Sequence, residues 1–172
     1  MNKEIDSVKL IQQLTKLCST GDNNDNTFNQ TLNCFQSFNK QIETTSIQFD
    51  FLIENQRGFK FFGIPIFTEK SLLPIIDPIN YQNINGKPVN ISLSNIDNYP
   101  LPDFQWKWSW NKWYVFMFKD VDPNGWLYNS LVFQDDRRWK GKYYLGNTIR
   151  RRIWIKQRER EHVNDHVSSH VL

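Results

Sequence analysis

A chain of 172 residues, 39% hydrophobic and 23% charged, is long enough for one domain with tails. Its formal charge of +3 conceals an asymmetry, because Arg137 to Arg160 hold ten Lys/Arg against the single Glu159 and the rest of the chain is net acidic. No run approaches the roughly 18–20 apolar residues that span a bilayer, the N-terminus lacks a signal pattern, and Cys18 and Cys34 form neither metal-ligand spacing nor a disulfide framework.

These features are read as a reduced, cytosolic protein, soluble or peripherally membrane-bound, with the sequons at Asn29 and Asn90 unused. Val8, Ile11, Leu14 and Cys18 lie at helical spacing and predict one amphipathic helix within residues 1–19. Its face lacks Trp and Phe, which disfavours membrane insertion and leaves docking on the domain or on a partner. Residues 20–46 turn to Asn, Gln, Ser, Thr and Asp, the composition of a linker, with only a weak helix near Leu32 to Phe38. At Ile47 the texture changes: Ile47-Gln-Phe49-Asp-Phe51-Leu-Ile53 alternates as a strand does, so the domain is placed at residues 47–158. Glu54-Asn-Gln-Arg57-Gly58 follows, then an aromatic stretch from Phe59 to Phe67, then Leu72-Leu73-Pro74 to Pro78, whose prolines exclude a central strand.

After a polar stretch with a turn at Asn85-Gly86, the strongest pattern in the chain begins. Trp106, Trp108 and Trp110 alternate along one predicted strand, and Trp113 to Phe118 and Trp126 to Phe133 are read as two more, joined by a turn at Asp120 to Gly125. In the final strand, Thr148 to Gln157, Arg150, Arg152, Trp154 and Lys156 share one face; Ile149, Ile153 and Ile155 share the other, interrupted by Arg151. Guanidinium groups stack well on indole faces. The expectation is therefore an Arg/Trp stack in which Trp106, Trp108, Trp126, Arg150, Arg152 and Trp154 hold the fold, followed by a polar tail at 159–172.

Glu54-Asn-Gln-Arg57, Leu72-Leu73-Pro74, the Trp-x-Trp strand, Asp122 to Tyr128, Trp139 and Arg150-Arg-Arg152-x-Trp154, in this order, resemble the dysferlin domain. Its N-terminal motif falls at about 47–81 and its C-terminal motif at about 105–158. The first motif departs from the family pattern Leu-Leu-Pro-x-Asp-Arg-Pro-x-Trp, because this chain has Asp77-Pro78 without the Arg and Tyr81 for the Trp. Among the family's types the chain is most similar to a small yeast sporulation-specific one. The resemblance implies a compact, mainly β antiparallel fold with Arg/Trp stacking. It further implies a role in prospore membrane extension, a peripheral position on that or another internal membrane, and a larger pleckstrin-homology-containing sporulation protein as partner. The family's fungal peroxins add phosphatidic acid as the implied lipid.

Arg137, Arg138, Lys140 and Lys142 surround Trp139, a mixture suited to anionic headgroups, and with Arg151 they form the candidate lipid-binding set. The same mixture suits single-stranded nucleic acid, which ranks below lipid because the indoles alternate with arginines as though to stack on one another. A protein-interaction adaptor working through the N-terminal helix or an exposed strand is the other class left open. Asp120-x-Asp122-x-Asn124-Gly125 matches the start of a calcium loop, yet Leu131 stands where the twelfth-position Glu belongs, so a hairpin turn is preferred. His162, His166 and His170 are spaced for one helix face in a polar tail and support adventitious metal binding at most. No His lies within residues 47–158 to activate a Ser or Cys nucleophile, so the reading is non-enzymatic, without cofactor or metal.

Overall fold

Two long antiparallel strands form the spine of the computed structural model, which describes residues 7–19, 28–43, 45–92, 95–118, 121–134 and 139–161. They are β1 (Ile47–Phe61) and β7 (Ile149–Arg160), in register from Ile47 opposite Glu159 to Arg57 opposite Ile149. The outer edge of β1 carries β3 (Tyr81–Asn83) and β2 (Ile64–Thr68). The outer edge of β7 carries three short strands, β4 (Trp106–Trp108), β5 (Tyr114–Val115) and β6 (Leu127–Asn129). Every pairing is antiparallel and the fold is mainly β.

Strand periodicity gives this sheet two unlike faces. On one, Phe49, Phe51 and Ile53 of β1 join Ile153 and Ile155 of β7 in an apolar core. Two helices cover that core: α1 (Ser7–Ser19) through Leu10, Leu14 and Cys18, and α2 (Phe28–Gln41) through Phe28, Leu32, Phe35 and Phe38. Phe35 stacks on Phe51 with ring centroids 4.4 Å apart and meets Phe116 edge-on at 5.3 Å.

Over Phe28–Gln41 this replaces the expected linker with a buried helix. Asn29, Gln30, Asn33, Gln36 and Gln41 lie on the solvent side of α2, while Phe28, Leu32, Phe35 and Phe38 recur at helical spacing and bury completely enough to offset the ordering cost. A second difference concerns β1, which does not stop at Ile53. It runs on through Glu54 to Gly58 and ends at Phe61, because β2 folds back on it through a turn at Phe62 (φ 47°) and Gly63 (φ 82°). Gly58 permits the pairing, since a Cβ there would stand 1.9 Å from the Ile66 carbonyl oxygen.

Candidate functional site

The second face of the sheet is polar and aromatic, and cross-strand neighbours dictate its order. Arg152 lies opposite Glu54 and Arg150 opposite Gln56. Arg152 Nε donates to Glu54 Oε2 at 2.7 Å, and the same oxygen accepts from Trp154 Nε1 at 2.7 Å. Arg150 donates to Gln56 Oε1 through Nε (3.0 Å) and Nη2 (2.7 Å). Nearer the other end of the strands, Arg158 donates to Asp50 Oδ1 (2.9 Å) and Gln48 Oε1 (2.8 Å). The Glu54-Asn-Gln-Arg57 motif is thereby explained residue by residue. Asn55 faces the other way and is buried, donating to the Ile79 carbonyl and to Gln82, and Arg57 forms a bidentate pair with Asp77 at 2.6 Å.

Aromatic rings lie over these cations. The guanidinium carbon of Arg150 is 3.9 Å from the Trp126 centroid and 4.6 Å from that of Phe67; that of Arg152 is 4.3 Å from Trp126 and 4.4 Å from Trp154. Lys156 Nζ sits 4.5 Å over Trp108, and Trp106 is flanked by Arg158 and Arg160 at 4.6 and 5.0 Å. Each such contact contributes about 0.5–2 kcal/mol, the upper end where water is excluded. Burial lowers the pKa of Arg150 and of Lys156 from their ordinary values, opposed by Tyr128 in the first case and Asp97 in the second.

Trp110 does not continue the row begun by Trp106 and Trp108. The N–H groups of Ser109 and Trp110 both point to the Gln157 carbonyl (3.0 and 3.4 Å), so two residues oppose one and the strand flips as at a β-bulge. Trp110 therefore turns to the core face and meets Phe49 edge-on at 5.7 Å.

The candidate lipid-binding residues separate. Arg137 and Arg138 lie outside the described residues. Arg151 is not partner-facing: as an odd residue of β7 it points to the core side, 8% exposed, its guanidinium carbon 3.6 Å from the Trp139 centroid and 4.4 Å from that of Phe28. It donates to the Phe133 carbonyl at 2.6 Å. Trp139 is half-buried against Arg151, Phe28 and Phe133, which removes its ring from the set free to enter an interface. Lys140 and Lys142 are exposed, both beside the Tyr144 ring at 5.9 and 5.6 Å. Their loop is fastened to β6 by reciprocal Tyr128–Lys140 backbone bonds and to β1 by the Lys60 N–H, which donates to the Tyr143 hydroxyl at 3.1 Å.

The segment resembling a calcium loop is a turn. Asp122 Oδ1 accepts from the N–H groups of Asn124 and Trp126, and Oδ2 accepts from the Tyr128 hydroxyl at 2.7 Å. Burial, reinforced by Asp122, pushes that hydroxyl up to about 12 and keeps it a donor. Asp120 and the three histidines of the tail lie outside the described residues.

What the sequence reading passed over is the apolar end of the molecule. Phe59, Phe61, Phe62, Ile64 and Ile66 of the β1–β2 hairpin are all exposed, as are Ile75, Ile76 and Leu131 nearby. Arg57 holds that end together, bonding Asp77 of one loop and, through Nη2, the Leu131 carbonyl of another at 3.2 Å. The signal was present in the aromatic stretch, where Phe62-Gly63 separates two short apolar runs of hairpin type.

No protein-family model matches the chain. It is 36% identical over 124 residues to sporulation-specific protein 73 of Saccharomyces cerevisiae, a match that covers 62% of this chain and 83% of that protein. It is 38% identical over 124 residues to meiotically up-regulated gene 65 protein of Schizosaccharomyces pombe, covering 70% of this chain but 46% of that protein, so the chain spans less than half the length of this relative. No helix among the described residues is long and apolar enough to cross a membrane.

Proposed function

Because the chain belongs to the sporulation-related family of sporulation-specific protein 73, we propose that it is a non-enzymatic, peripheral membrane module of sporulation that recognises an anionic lipid such as phosphatidic acid on the prospore membrane. In this reading the cation and ring ladder over β1 and β7 is the Arg/Trp stack of a dysferlin domain, a structural device whose charges are engaged internally. The observation that carries the lipid reading is the pair of exposed lysines, Lys140 and Lys142, on a loop tied through Tyr143 to Lys60 of the apolar hairpin. Positive charge is thus held next to exposed apolar surface, which is the composition an anionic membrane surface selects.

The test is flotation of the purified protein with phosphatidylcholine vesicles containing or lacking phosphatidic acid, at low and physiological salt. Selective flotation weakened by salt is expected. Lys140→Ala/Lys142→Ala is expected to lose about 2 kcal/mol of binding, roughly thirtyfold, at about 1 kcal/mol for each charge near the surface. A folded sample that never floats sinks the lipid reading and leaves the adaptor beside a larger pleckstrin-homology-containing protein to be tested by pull-down.

A further inference from the structure

The apolar face of β1 is longer than the helix layer that covers it. Fifteen residues of strand extend about 50 Å, whereas thirteen or fourteen residues of helix extend about 20 Å. Phe49, Phe51 and Ile53 lie under α1 and α2; Asn55 and Arg57 follow and are tied to loops; Phe59 and Phe61 continue the same face and, among the described residues, are left exposed. The register sets Ile66 opposite Phe59 and Ile64 opposite Phe61, so four apolar side chains share one exposed face. Phe62, 90% exposed, projects at the tip from a left-handed backbone (φ 47°), where hairpin turns usually place Asn or Gly. A bulky ring is held there against the conformational preference of its residue type.

The opposite face of the hairpin is anchored. Phe67 rests on Tyr128, Tyr143 and Arg150, and Lys60 lies over the Tyr128 and Tyr143 rings at 5.1 and 4.9 Å. Residues 57–68 hold no acidic group, and with Arg57 paired to Asp77 the charge on the hairpin itself is that of Lys60, to which Lys140 and Lys142 of the adjoining loop add theirs. The feature is a convex prong with an apolar face and tip backed by cations. A fluid medium that closes around a projection and presents negative charge at its surface fits that shape, because the lysines meet headgroups while the rings pass below them.

We infer that the β1–β2 hairpin is a wedge that enters the headgroup and upper acyl region of an anionic bilayer, with Phe61 and Phe62 deepest. The inference rests on the peripheral-membrane reading and adds to it the depth and the residues of contact. The test places a nitroxide at Phe62→Cys in a Cys34→Ser background that keeps the buried Cys18, with Asn98→Cys as the control at the Asp50 end of β1. Vesicles of phosphatidylcholine with phosphatidic acid should shield the label at 62 from a water-soluble nickel chelate and open it to oxygen, leaving the label at 98 unchanged. Phe61→Ser/Phe62→Ser should weaken flotation by roughly tenfold or more without moving the thermal transition, since neither ring is part of the core. Flotation with residue 62 still accessible to nickel overturns the wedge and leaves lipid recognition by the lysine loop standing. A folded protein that never floats overturns both. Shielding of residue 62 before vesicles are added, together with a dimer mass in sedimentation, assigns the face to a second copy of the chain and overturns insertion.

Discussion

Asp50 and Asp77 each pair with an arginine, yet their surroundings give them opposite responses to pH. Burial pushes the Asp50 carboxyl from 3.8 up to about 6, with Arg158 pulling the other way. The folded state then binds a proton more tightly than the unfolded chain, so this group adds stability fully below about 3.8 and loses it as pH rises through about 6. The stability of the native protein relative to Asp50→Asn should therefore rise by about 2–3 kcal/mol between pH 7 and pH 4 in urea unfolding. For Asp77, burial is outweighed by Arg57 and by the Leu73 N–H, which hold it below the usual carboxylate range. Its contribution is present above about 3.8 and is lost as pH falls below that value, so the native advantage over Asp77→Asn should hold nearly constant between pH 7 and pH 4 and shrink only on further acidification. Equal slopes for the two variants would refute the assignment. Arg151 makes the complementary case for a basic group. Clasped by Phe28, Phe133 and Trp139, it should cost about 2–4 kcal/mol when changed to Ala. Vesicle affinity of the folded variant should stay unchanged, whereas a selective loss of binding would return Arg151 to the interface.

At the scale of elements, the β1–β2 hairpin depends on one close approach. The Cβ of Gly58→Ala would fall 1.9 Å from Ile66 O and 2.6 Å from Phe67 Cα, both backbone atoms, so the strands must separate. A loss of about 3 kcal/mol or more is expected, along with faster amide exchange at residues 58–67; exchange unchanged there would show that the strands do not meet as described. The hairpin also illustrates what sequence periodicity conveys. Alternation in Ile47 to Ile53 and in Ile149 to Lys156 marked the two central strands and the unlike faces of β7. It carried no information about where β1 ends, because Glu54 to Gly58 looks like a break by composition and is extended only through long-range pairing with β7 and β2. Trp110 failed for a related reason: a single bulge at Ser109 reverses every later side chain, and two backbone N–H groups sharing one distant carbonyl leave no local signature. Among the candidate lipid residues, Lys140 and Lys142 were legible because long cationic side chains in a loop default to solvent. Arg151 and Trp139 were not, since their burial depends on Phe28 from a helix more than a hundred residues earlier in the chain.

That dependence reaches the whole molecule. From sequence the first helix could dock on the domain or on a partner and the segment after it reads as a linker; the structure makes α1 and α2 one layer of a two-layer domain. Leu14, Phe35 and Phe38 are almost wholly buried, and Phe28, Leu32 and Cys18 nearly so. At about 1.5–3 kcal/mol for each large side chain, their removal withdraws an amount comparable with the entire stability of a typical domain, about 5–15 kcal/mol. It would also uncover Phe49, Phe51, Ile153 and Ile155 as a continuous apolar face, the kind of surface that binds whatever apolar material is present. A chain beginning at residue 45 should therefore lose its cooperative unfolding transition, bind hydrophobic dyes and associate. Its vesicle binding should become indifferent to phosphatidic acid, because exposed core binds lipid without reading headgroup charge. If the shortened chain instead unfolds cooperatively and keeps its lipid preference, the helices are a detachable cover. The apolar side of α1, formed by Leu10, Leu14 and Cys18, then becomes a surface for a partner protein, and the adaptor reading regains its ground.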